Sequence, residues 1–174
     1  MKSNYALFDP KIERPLHELT RREATAAYEW FISQRDERID ILTQHARELG
    51  YELNGNIESV LENLHQLFIA EVHGEGKAET PTAYVFSLCN DIALFISDRL
   101  ILKAPQLHWG MFTAGKKDIS YQRPVLQGFN VANKKFNVDI DYVLCTYAYR
   151  LCRGGAVEEK DYFWRIFNSA LSKA

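Results

Sequence analysis

A chain of 174 residues, 47% hydrophobic and 25% charged, has material for one core and is short for two. Aromatics at 13% exclude a disordered polymer, and a net charge of −2 excludes the strongly basic surface of a general nucleic-acid binder. No stretch approaches the ~20 apolar residues of a membrane span, since the richest, residues 92–102, is broken by Ser97, Asp98 and Arg99.

The first five residues have no long apolar run behind them, so a cytoplasmic protein without a secretory signal is expected. Cys89, Cys145 and Cys152 are odd in number and include no CxxC. They read as reduced packing residues rather than a disulfide or metal set.

Residues 1–19 hold Pro10 and Pro15 and no sustained period, and predict an arm laid over the core by Phe8 and Leu16. Thr20 to Glu23 fits a capping box. The stripe that follows runs through Ala24, Ala27, Tyr28 and Phe31 to Ile39, Leu42, Ala46 and Leu49, predicting one helix closed by Gly50. Asn56 caps a second helix, with Ile57, Val60, Leu61, Leu64, Leu67 and Phe68 inside and Glu58, Glu62 and Glu71 outside. Thr80 and Pro81 have the order of a cap and first-turn proline for a third helix, through Tyr84, Leu88, Cys89, Ile92 and Ile96, stopped by Pro105.

Leu107, Trp109 and Met111 then alternate with His108 and Gly110, as in a strand. Residues 119–123 are placed to pair back across a turn at 114–117, and residues 124–129 to form an ordered connection. A fourth helix is expected over Val138–Cys152. A fifth begins near Glu158, with acids in its first turn and Tyr162, Phe163, Ile166, Phe167, Ala170 and Leu171 inward. The prediction is an α+β, mainly α, single domain over 1–174 with about five helices and one short β-hairpin.

Three stretches resemble a family of small uncharacterised bacterial proteins: Leu19–Ala24 leading into Tyr28–Phe31 and Glu37–Ile39; Glu58–Leu64; and His108–Gly110 followed by Gln122–Phe129. The resemblance implies an α+β fold and carries no catalytic residue. By analogy, small bacterial proteins of this look include toxin-immunity and antitoxin-like partners.

Charge is distributed unevenly. Residues 51–100 carry −6 and residues 101–153 carry +5. The expected function is therefore a protein-binding module of immunity or inhibitor type, whose Glu58, Glu62, Glu71, Glu75 and Glu79 meet a basic, toxin-like partner. If the two segments instead pack together, they neutralise each other.

No GxSxG, HExxH, P-loop or GxGxxG motif is present. An enzyme is the less expected reading, and neither cofactor nor metal is called for. His65 and His73, two turns apart near Glu62, are too sparse for a metal site and read as solvated helix-face residues. The alternative to partner binding is a small-ligand or hydrolase-like pocket near His108, Trp109, Tyr121 and Arg123. There His108 with Asp98 or Asp118 would be a general base; as a plain strand residue it simply faces solvent. Trp30, Trp109 and Trp164 would give an aromatic pocket or fill the core. Lys116, Lys117, Lys134 and Lys135 lie among Tyr121, Phe129 and Phe136 as in a single-strand binder, but a pI near 6.2 makes nucleic acid an unlikely partner.

Overall fold

The computed structural model describes residues 5–174, so the first four residues of the expected arm lie outside the described residues. A 3₁₀ turn at Leu16–Glu18 is followed by α1 (Arg21–Ser33), α2 (Arg35–Glu48), α3 (Ile57–Gly74) and α4 (Ala83–Lys103). Then come β1 (His108–Met111), β2 (Pro124–Gln127), α5 (Ile140–Cys152) and α6 (Tyr162–Leu171). The fold is α+β and mainly α.

The most apolar stretch becomes the central element. In α4 every residue from Ser87 to Ser97 is buried, as expected of a helix surrounded on all sides. Its neighbours are α2, α3, α5 and α6, and the shared core includes Phe68, Phe95, Phe163 and Phe167. The cap is Thr82, not Thr80. Its hydroxyl accepts from the Val85 amide at 3.3 Å, which leaves Pro81 just ahead of the cap.

The capping box at Thr20 and Glu23 forms in both directions. The helix it starts does not run to Leu49. Gln34 separates α1 from α2, so six helices are present among the described residues where about five were expected. Gln34 keeps right-handed helical dihedrals and its amide bonds to the carbonyls of Trp30 and Phe31. The joint coincides with the gap in the apolar stripe between Phe31 and Ile39.

The hairpin uses a different second strand from the one expected. β1 pairs antiparallel with β2 in a register from His108 opposite Gln127 to Met111 opposite Pro124. Residues 119–123 belong to the connection. Ile119 is 63% exposed, so pairing through it would bury little. Val125 and Leu126 are fully buried, and Leu126 also exchanges backbone bonds with Val138. Gln122 ends the connection at φ 63°, its amide bonded to the Phe112 carbonyl. Gly128 closes β2 at φ 93°, where a Cβ would lie 2.2 Å from the Gln106 carbonyl oxygen.

The later helices start further along than expected. Asp139 caps α5 by accepting from the Tyr142 amide at 2.9 Å. α6 begins at Tyr162, so Glu158 and Glu159 precede its first turn instead of occupying it. Glu158 pairs instead with Arg150 at 2.5 Å. Among the described residues no helix is long and apolar enough to cross a membrane.

Candidate functional site

The arm is tied down by a polar cluster inside the molecule. Asp91, fully buried on α4, accepts from Arg38 Nε and Nη2 at 2.8 and 2.6 Å, from the Tyr5 hydroxyl, and from Asn90 at 3.0 Å. Burial raises the Asp91 carboxyl, and its donors offset that only in part. Burial beside this carboxylate pushes the Tyr5 phenol far above its ordinary value and keeps it a donor. From Tyr5 the chain continues to Phe8, whose amide donates to Ser87 Oγ on α4. Trp30 on α1 holds the Asp9 carbonyl, and Gln122 Nε2 holds the carbonyls of Leu16 and Leu19.

Beneath this arm lies a cavity of about 260 Å³. Its apolar wall is built from Phe8, Leu16, Tyr28, Phe31, Phe86 and Trp109. Phe31 meets Trp109 edge to face, with ring centroids 5.4 Å apart. Arm, α1, α4 and the hairpin each contribute a side.

One end of the cavity is polar. Arg123, immediately before β2, donates through Nε to Asp139 at 2.5 Å and through Nη2 to Asp141 at 2.9 Å. Burial opposes its charge, but the two carboxylates outweigh burial and hold the guanidinium above its ordinary value. Burial raises the Asp141 carboxyl despite Arg123. Cys145 donates its thiol to Asp141 at 3.6 Å. Behind it, burial pushes the Cys89 thiol well up, helped by its contact with Cys145, so its environment does not favour a reactive thiolate. Trp109 contributes a further feature. Its Nε1 is shut off from solvent and has no hydrogen-bond partner among the described residues.

The four residues of the expected pocket are divided by the structure. Trp109 and Arg123 line this cavity, and His108 and Tyr121 do not. His108 is exposed on the far side of β1, where its Nδ1 meets the Gln106 carbonyl at 3.2 Å. No bond or ion pair joins it to Asp98 or Asp118, and the general-base arrangement does not form among the described residues. The other tryptophans part as well, since Trp164 stacks on Phe167 beside the core.

The acidic residues are scattered in environment. Glu58 and Glu75 make no side-chain hydrogen bond or ion pair among the described residues, and Glu79 is 93% exposed opposite Arg153. Glu62 pairs with Lys160 at 3.5 Å. Glu71 is not a free outward charge. It accepts from the Tyr84 hydroxyl and lies 3.5 Å from His45. His65 is likewise corrected from solvated to fully buried, between Tyr147 Oη at 3.0 Å and the Lys160 carbonyl at 3.2 Å. Among the described residues no group of three or more His, Cys, Asp or Glu is placed to hold a metal ion.

Tyr5, Arg38 and Asp141 were missed by sequence reasoning. Arg38 sits in a charged run that looks solvated, and its partner is 53 residues away. The one available signal was Asp91 inside an otherwise apolar helix, because a buried carboxylate requires a partner.

No protein-family model matches the chain, and no curated protein or solved structure shows significant similarity to it.

Proposed function

We propose that the protein binds a small, largely apolar molecule in the cavity beneath its N-terminal arm. The observation that carries this reading is a 260 Å³ cavity with an aromatic wall and a polar end at Asn90, Gln122, Arg123 and Asp141. Binding sites combine apolar walls with a few polar groups that fix orientation. A panel of apolar small molecules should raise the melting temperature. Saturation at one hundred times Kd adds about 2.7 kcal/mol, or roughly 5–10 °C for a chain of this size. Ala27→Phe, which fills the cavity from α1, should abolish the rise while the variant still melts cooperatively. A ligand that stabilises both forms equally binds elsewhere.

The acidic segment supports a second reading, an immunity-type or inhibitor-type module for a basic partner. Glu58 and Glu75 are without side-chain partners among the described residues, and Glu79 is almost fully exposed. Such charges steer association more than they tighten contact. Capture of a basic protein encoded by a neighbouring gene should weaken with salt and with charge reversal at Glu58, Glu75 and Glu79. Capture unaffected by either would overturn this reading.

A further inference from the structure

The cavity's polar end carries an imbalance of charge. Arg123 faces two carboxylates, pairing with Asp139 through Nε and with Asp141 through Nη2. Arg38 and Asp91, beyond Asn90, pair one against one. Among the described residues no second cation is paired with Asp139 or Asp141, so one negative charge is left over. That charge is not sealed away. The Asp141 side chain lines the cavity and keeps 32% of its surface accessible, whereas Asp139 keeps 5%. Burial raises the Asp141 carboxyl, and a cation placed beside it offsets that cost.

The neighbouring side chains add acceptors. Gln122 spends Nε2 on the Leu16 and Leu19 carbonyls, and Asn90 donates through Nδ2 to Asp91. Both residues are buried and line the cavity, and their side-chain oxygens have no partner among the described residues. The Asp141 oxygens accept one bond each, from Arg123 and from Cys145, and keep lone pairs to spare. Arg123 Nη1 is a spare donor, so hydrogen-bond counting alone admits a ligand head of either kind. Charge decides. A carboxylate would bring a third negative charge to a site that already has an excess, at low dielectric. A neutral head would leave the excess in place. An ammonium removes it, brings only donors to a site rich in acceptors, and is attracted to aromatic faces such as those of the wall. We propose, resting on the cavity reading above, that the ligand is an apolar primary amine whose ammonium pairs with Asp141 while its hydrocarbon body lies against the aromatic wall.

The test compares three probes that share a phenyl group, 2-phenylethylammonium, 2-phenylethanol and phenylacetate, by calorimetric Kd at pH 7. The ammonium should bind at least about tenfold more tightly than the alcohol or the carboxylate, a difference of 1.4 kcal/mol or more. Asp141→Asn leaves Arg123 balanced by Asp139 alone and should bring the ammonium down to the affinity of the alcohol. A preference kept in that variant overturns the inference. If the variant melts early, the order of the probes on the native protein still decides, and Ala27→Phe fixes the place, since filling the cavity should abolish binding of the ammonium. Ammonium binding retained in Ala27→Phe lies on the acidic surface and overturns the inference. Equal or tighter binding of the alcohol or the carboxylate to the native protein overturns the inference and leaves the cavity reading standing. Absence of binding by all three overturns both.

Discussion

Asp91 gathers four donated hydrogen bonds from three side chains that lie far apart or adjacent in sequence, and that count explains why a carboxylate survives in the middle of α4. Removing one charge of such a pair strands the other. Arg38→Met or Asp91→Ala should each destabilise the fold by about 3–5 kcal/mol in urea melts, and the double replacement by less than the sum. His65 gives a pH signature. Burial lowers its pKa below the ordinary value, although the Lys160 carbonyl works the other way. The unfolded chain then takes up the proton first. The stability contribution is complete above pH ~6.5 and is lost as pH falls from there through the folded pKa. His65→Gln should flatten that part of the stability profile; an unchanged slope would assign it to another group. Neither role could be read locally, because Asp91 meets Arg38 across 53 residues and His65 meets Tyr147 across 82.

Helices were legible wherever an apolar period and a cap agreed. Leu88 and Ile92 fall on the expected face of α4, are fully buried, and should each cost about 2–5 kcal/mol when cut to Ala. The interruption at Gln34 showed only as the gap in the apolar stripe between Phe31 and Ile39, since no Gly or Pro stands there and the backbone stays helical. The hairpin misled because alternation at 107–111 was clear while residues 119–123 looked as strand-like as 124–127. Burial of Val125 and Leu126 decides between them. α3 tests the same point by charge. Glu58→Lys should change stability by less than about 1 kcal/mol, its position near the helix start being the main term. Glu71→Lys should cost about 1–3 kcal/mol, because Tyr84 loses its acceptor and His45 meets a cation. Equal melting temperatures for the two would return Glu71 to the solvent face.

Across the whole molecule, the charge asymmetry of the sequence is partly closed by ion pairs between the acidic segment and later residues, Glu79 with Arg153 and Glu62 with Lys160. Both pairs are exposed and so contribute little to stability, while Glu58 is left to solvent and Glu71 is held by Tyr84. The cavity was only half legible. Trp109 and Arg123 stood out as unusual text, but the arm that roofs them and the carboxylates that hold Arg123 come from elsewhere in the chain. The indole N–H of Trp109 reports on that cavity directly. In a proton–nitrogen correlation spectrum, titration with an apolar molecule that raises the melting temperature should move the Trp109 indole signal to saturation and leave that of Trp164, beside the core, in place. A stationary Trp109 signal under saturating ligand, or equal movement at Trp164, would contradict a ligand site beneath the arm.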